Sequence, residues 1–507
     1  MKHWIIPILL LCGAWAAGET EAAEEIKAAD APKRPNIILI YTDDHAFQSI
    51  GAYGSKVGKT PNLDRLANEG MRFTNCCVTN SICGPMRAVV QTGKYSHANG
   101  FIDNRPGTRF DNTQTTFPKL LQAAGYNTAI VGKWHLNCGA TPGFDYSEVL
   151  IDQGPYFNPA MIRDGKRVQH QGYTTEIITD LALDWLKNGR DPEKPFLLLC
   201  QHKATHRSWD PIPKYYDRFK DTVFPLPETF YDDYSTRGTP AHDQNMSIAK
   251  TLTRFDLKLD GPRANMTPAQ KAVWNEMYAP RLAEFKALKA RGASENEMTE
   301  WKYQCYMRDY LAVASAVDDS VGEILAYLKE AGLDENTLVI YSSDQGFYLG
   351  EHGWFDKRFM YEESYKTAFL ARWKGQIAAG SVNSDIVSPL DFAETFLELA
   401  GVDIPADMQG ASVVPMLFGR PKPADWRTAM FYKYYEFPDH HHVHPHEGLY
   451  DGRFKLMHFL DLDEWEFYDL ESDPHELRNL IADPEQSVRI DEMKTEMERQ
   501  KKTLRVP

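Results

Sequence analysis

The run Pro35-Asn36-Ile37-Ile38-Leu39-Ile40-Tyr41 constrains the fold more than any other stretch of the chain. It lacks the in-and-out alternation of a strand with one face in water. It therefore predicts a central strand covered on both faces, as in parallel sheets flanked by helices. The run stops at Thr42-Asp43-Asp44, which sets two carboxylates at a strand's carboxyl end, where open α/β sheets carry their ligands. Two later stretches repeat the arrangement. Pro195 to Cys200 delivers Gln201-His202-Lys203, and Thr337 to Ser342 delivers Ser343-Asp344-Gln345-Gly346.

Helices are expected between these strands. Thr60-Pro61 opens one over Asn62 to Glu69, closed by Gly70, because threonine caps free amides and proline has no amide to cap. Thr116 to Ala124 is a second, followed by a short strand, Asn127 to Val131, that leads to Lys133 and His135. Helical spacing recurs over Tyr173 to Asn188, Asp309 to Glu330 and Asp385 to Leu399, the last stopped by Gly401. Trp209 to Glu300 is polar and poor in strand signal, as expected of loops and helices that wall a site or face solvent. From about Trp426 the character changes. Ala429 to Tyr435, Gly452 to Phe459 and Trp465 to Leu470 have strand composition, and Ser487 to Lys502 ends the chain as a helix. The expected organisation is an α/β catalytic domain over residues 34–425 and a smaller α+β subdomain over residues 426–507.

The amino terminus bears on compartment. Lys2 and His3, the apolar run Trp4 to Cys12 and the small-residue site Ala14-Trp15-Ala16 predict an export signal over residues 1–16 and a flexible Ala- and Glu-rich linker over 17–33. No segment is long and apolar enough to predict a membrane span, so the expected location is secreted or periplasmic. Cys76, Cys77, Cys83, Cys138, Cys200 and Cys305 follow the spacing of neither a disulfide framework nor a zinc knuckle. With 56 Lys and Arg against 71 Asp and Glu, the net charge of -15 would repel nucleic acid, and no basic block offsets it. An anionic substrate would need a local positive pocket inside that acidic shell.

One segment carries specific chemistry: Ser81-Ile82-Cys83-Gly84-Pro85-Met86-Arg87-Ala88-Val89-Val90-Gln91-Thr92-Gly93. Pro85 suits a first helical turn, which puts residue 83 at the positive helix end, where an anion is stabilised. Arg87 adds a fixed cation. Without such a setting, Cys83 would count as an ordinary core thiol. The segment resembles the signature of the type I sulfatases, Cys-x-Pro-x-Arg followed by an apolar stretch and Thr-Gly, in which the cysteine is converted to Cα-formylglycine (3-oxoalanine). Met86 and Gln91 replace the small residue and the leucine usual in that family. The similarity extends from about Pro35 to Asn479 and implies an alkaline-phosphatase-like fold: a mixed, mainly parallel sheet sandwiched by helices. It also implies a maturing, formylglycine-generating enzyme that acts before folding.

The resemblance implies Ca2+ held by Asp43, Asp44, Asp344, Gln345 and the aldehyde hydrate of residue 83, with Gln345 standing where many sulfatases have Asn. Val131-Gly132-Lys133-Trp134-His135 is similar to the family's Gly-Lys-Trp-His segment. By that likeness Lys133, His202 and Lys357 would surround the sulfate, Arg87 would hold the nucleophile and His135 would activate it. His202 would protonate the leaving oxygen. Thr92 to His97, Gly346 to Gly353 and Tyr434 to Pro438 resemble the bacterial N-acetylglucosamine-6-sulfatase branch, which implies a 6-O-sulfated N-acetylglucosamine substrate on glycans. His441 and His446 would meet the sugar, with His206 and Asp356 as further contacts. Three alternatives remain open at this point: a sulfatase for another sugar, a phosphoester hydrolase of the same fold, and a silent glycan-binding protein that keeps Cys83 as a thiol.

Overall fold

A computed structural model describes Met1, residues 34–139 and residues 141–507. Met1 apart, the expected export signal and linker lie outside the described residues. Asn36–Thr42 is a strand buried at every position, paired in parallel with Phe196–Gln201 on one side and Thr337–Ser343 on the other. Phe196–Gln201 pairs in parallel with Asn127–Gly132, and that strand with Tyr146–Leu150. These strands form the centre of a ten-stranded sheet. One flank is completed by Phe369–Arg372, Met71–Phe73 and Ser381–Asn383, and the other by the antiparallel strands Ala160–Arg163 and Lys166–Gln169. The flanking strands are short or partly polar, which is why their sequence signal is weak.

Register turns this sheet into a site. Tyr41 lies opposite both Gln201 and Ser342, and Gln201 lies opposite Gly132. The chain therefore leaves four neighbouring strands at nearly one level, and Asp43, Asp44, Lys133, His202 and Asp344 all follow within a few residues of it.

Helices cover both faces. One apolar cluster joins Ile38, Ile40, Leu198 and Val339 to the helix Glu295–Glu330, and the other joins Ile37, Leu39, Leu199 and Ile340 to Phe392–Ala400. Glu295–Glu330 begins well before the expected Asp309, because Ser294 and Glu297 form a reciprocal capping box that starts it in polar sequence. The helix expected from Asp385 begins later. Ser388 caps a short turn with Pro389 at its first position, and the α-helix follows at Phe392–Ala400, ending at Gly401 in the left-handed conformation. Pro268–Ala290 adds a long helix inside the stretch expected to be loops and helices.

Near the carboxyl terminus, Met430–Tyr434, His446–Tyr450, Phe454–Phe459 and Glu464–Asp469 form a four-stranded antiparallel sheet, and Ser487–Leu504 is a helix. The strand His446–Tyr450 was not expected, since its first residues are His, Glu and Gly. Residues 35–507 form one compact unit. The small sheet shares an apolar cluster with Cys77, Met86, Val89, Phe359 and Tyr365, which ties it to the helix that begins at Cys83.

Candidate active site

Cys83 is the first residue of the helix Cys83–Thr92, all ten of whose residues are buried. Ile82, extended at the N-cap, offers no side chain to the free amides of the first turn, so that positive end faces the site. Two amide groups approach the sulfur: Asn104 Nδ2 at 3.4 Å and Gln153 Nε2 at 4.0 Å. Gly84 leaves room for the first of them, because a Cβ there would lie 2.3 Å from Asn104 Oδ1.

Arg87, one turn along the helix, is 2 % exposed and ties the strand ends together. It donates to the carbonyls of Thr42 (3.2 Å) and Lys133 (3.1 Å), to Gln201 Oε1 (2.7 Å) and to Asp344 Oδ2 (2.9 Å). Asp344 Oδ1 accepts from the Asp44 amide at 3.1 Å. Lys357 Nζ donates to both carboxylate oxygens of Asp44, at 2.6 and 2.8 Å, and Lys133 Nζ pairs with Asp43. Three carboxylates thus face three cations, all with almost no access to water. Burial raises every one of the acids, yet they end apart. Lys133, His206 and Arg87 hold Asp43 well below the usual carboxylate range. Asp44 is pushed up to about 7 in spite of Lys357, and Asp344 rises well above its ordinary value, because Asp43 adds its charge to the burial.

That crowding bears on a metal. Asp43 Oδ1 and Gln345 Oε1 are buried acceptors without a hydrogen-bond partner among the described residues, a costly condition unless another group satisfies them. Together with Asp44 and Asp344 they make an all-oxygen donor set, which suits a hard cation such as Ca2+. The residues present fit the expected ion. The two amides on the side chain of residue 83 likewise suit an oxygen-bearing group there better than a thiol, since sulfur is a weak acceptor.

The remaining expected residues divide. His135 comes to the site, its Nε2 3.0 Å from the Gln153 amide nitrogen and 3.6 Å from Asp152. Burial, then the charge of Lys133, depresses its basicity well below that of a free imidazole, so it rests neutral. His202 does not come to the site. It points under the sheet, where its Nε2 lies 3.0 Å from Ser320 Oγ on the long helix, and burial alone pushes its pKa down to about 3. The imidazole that the same strand end supplies is His206, whose Nε2 lies 4.0 Å from Asp44 Oδ2 and which forms a tight group with Asp43 and Asp44. The expectation for His202 is corrected accordingly: the side chain directly after the strand turns into the helical layer, and the loop beyond it turns back.

Of the residues expected to meet the sugar, His441 and Asp356 come together at 3.2 Å, and Arg358 donates to Asp356 at 3.0 Å. His446 is instead packed among Phe359, Tyr432, Tyr434 and Phe459, as the first residue of an internal strand, and contacts neither group. Asp44, His135, Asp356, Arg358 and His441 all have positive φ, a conformation that such residues rarely adopt and that aims their side chains against backbone preference. Sequence reasoning missed Asn104, Gln153 and Arg358. The first two lie in loops without a motif; Arg358 adjoins Lys357 and could have been found by its charge.

The sulfatase family pattern matches residues 35–402, and the pattern for the N-sulphoglucosamine sulphohydrolase C-terminal region matches 350–503. The chain belongs to the sulfatase family, enzymes that hydrolyse sulfate esters. It is 47% identical over 473 residues to an N-acetylglucosamine-6-O-sulfatase of Bacteroides thetaiotaomicron, covering 89% of this chain and 84% of the relative. An arylsulfatase of Clostridium perfringens is 26% identical over 90% of this chain and 92% of its own. Among solved structures, one in complex with its substrate D-glucosamine-2-N,6-O-disulfate superposes with a TM-score of 0.90 at 46% identity, over 93% of this chain and 98% of the other.

Proposed function

We propose that this sulfatase removes the 6-O-sulfate from N-acetylglucosamine residues of glycans, using an aldehyde hydrate formed from Cys83, with residues 34–425 as the catalytic part and 426–507 completing the sugar side. The observation that carries the reading is the convergence of Cys83 and Arg87 from one helix start with Lys133, Lys357 and three aspartates from separate segments that follow strands. Similarity to an N-acetylglucosamine-6-O-sulfatase supports the choice of sugar.

Asp43, Asp44, Asp344 and Gln345 would hold Ca2+. Bound there, the ion would favour ionisation of a hydroxyl on the hydrate of residue 83, the oxygen nucleophile for sulfur. The chain's own residues do the rest. Arg87 keeps Asp344 oriented and compensates its charge. Lys133 and Lys357, which lean on Asp43 and Asp44, can turn to the sulfate oxygens as the ester enters, placing cations where charge accumulates. His206 faces the same carboxylates from the substrate side. Burial holds the imidazole well below its ordinary basicity, against the pull of Asp43; an incoming sulfate adds negative charge that favours the imidazolium, which can then give its proton to the departing sugar oxygen. His135, neutral by burial, is suited to take a proton from the side chain of residue 83 when sulfate is released. Asp356, His441 and Arg358 offer a charged, hydrogen-bonded rim to sugar hydroxyls.

The test is a sulfate-release screen on defined monosaccharide sulfates, paired with mass analysis of the residue-83 peptide. Preference for 6-sulfated N-acetylglucosamine, together with loss of about 18 Da from the cysteine peptide on conversion to the aldehyde, supports the reading. Selective release from a galactose or uronate sulfate would remove the sugar assignment. An unmodified, fully active Cys83 would remove the mechanism. The leader-like amino terminus supports export; among the described residues no helix is long and apolar enough to cross a membrane.

A further inference from the structure

We propose a second metal site, for a divalent transition ion of the zinc class, formed by Asp243, His442 and His444. One ligand atom from each lies within 4.8 Å of the others, without any residue of the acidic centre taking part. The donors are two imidazoles and a carboxylate, a set that favours zinc-like ions over the hard cation suited to Asp43, Asp44, Asp344 and Gln345.

The orientation of His444 supplies the second argument. The ring is buried, and its Nδ1 lies 2.8 Å from Asp461 Oδ2. That bond puts the proton on Nδ1 and turns the Nε2 lone pair toward Asp243 Oδ2, 3.4 Å away. A proton or a metal ion between these two atoms satisfies both, and the second imidazole beside them, a further lone-pair donor, makes the place suited to the metal. A carboxylate behind a ligating histidine is the arrangement that orients metal-binding imidazoles. Phe437 holds both rings from the other side, with centroid distances of 4.4 Å to His444 and 4.9 Å to His442.

The site would have a mechanical effect. Asp243 ends the short helix Thr239–Asp243, while His442 and His444 belong to the loop that carries His441. The Asn245 amide donates to the His441 carbonyl at 2.7 Å, and His441 in turn faces Asp356. An ion bridging the helix end and the loop fastens His441 at the sugar rim.

The experiment uses the full chain, stripped with chelator, saturated with Ca2+, then loaded with Zn2+ or with Co2+ as a spectroscopic probe. One equivalent should survive gel filtration, with the ligand-field bands of nitrogen-bound Co2+. His442→Ala and Asp243→Asn, both at positions with solvent access, should abolish retention. Asp461→Asn should weaken binding about 10–100-fold, as losses behind a metal ligand do. Asp43→Asn and His440→Ala should leave the equivalent in place. Failure of the wild-type chain to retain the ion, retention unaffected by His442→Ala and Asp243→Asn, or loss of the ion in Asp43→Asn would each overturn the proposal.

Discussion

His202 and His206 leave the same strand, and only their surroundings separate them. The first is sealed against Ser320, while the second faces Asp44. Replacing His206 by Ala should lower kcat on a sugar sulfate about 10²–10⁴-fold, the usual yield of a positioned acid. It should cost much less on an aryl sulfate, whose leaving group needs no proton; equal losses on both substrates would deny His206 that role. His202→Ala should instead lower thermal stability and spare kcat, measurable by melting and steady-state rates on one preparation. Cys83→Ala should fold and lose turnover entirely. The sequence made Cys83, Arg87, the aspartates and both lysines legible, because each belongs to a motif: Cys83 and Arg87 at a helix start, the aspartates and Lys133 after strands, and Lys357 beside Asp356. It did not separate the two histidines, since which way a side chain turns after a strand depends on the layer packed against it. Asn104 and Gln153 carried no pattern at all.

At the scale of elements, the helix Cys83–Thr92 depends on close approaches. Gly84→Ala would bring a Cβ within 2.3 Å of Asn104 and 2.8 Å of the Phe101 ring. Overpacking of that kind costs about 1–3 kcal/mol, and calorimetry should show it together with a fall in kcat as Asn104 is displaced. Behind the same helix, Glu394 is 1 % exposed on Phe392–Ala400, and burial, reinforced by Asp391, pushes its pKa up to about 8. Between about pH 4.5 and 8 the folded chain therefore holds a proton that the unfolded chain has released. This contribution is full at low pH and makes stability fall as pH rises through the window. Glu394→Gln should flatten that decline, which through this window amounts to on the order of 4 kcal/mol; an unchanged pH slope in denaturant titrations would contradict it. The central strands were evident from their apolar runs. The early turns of Glu295–Glu330 and the strand His446–Tyr450 were hidden, because a capping box and sheet pairing outweighed polar composition.

For the whole molecule, the balance of charge matters most. In a chain with a net charge of -15, three cations meet three carboxylates in one buried pocket. Ca2+ that binds only the folded state at about 100 times its Kd adds about 2.7 kcal/mol. Melting in Ca2+ should therefore occur above melting in chelator, and the difference should vanish in Asp344→Asn. A persisting difference would place the ion elsewhere.

Asp44 and Asp344 meet across 300 residues of chain, and the strand that brings Asp344 sits directly beside Asn36–Thr42. A growing polypeptide therefore cannot close the pocket over its nucleophile until Thr337–Ser343 has been made. Up to that moment the Cys83 segment has no fully assembled sheet to dock on, and the long delay built into the topology keeps it open, as the proposed conversion of Cys83 would require.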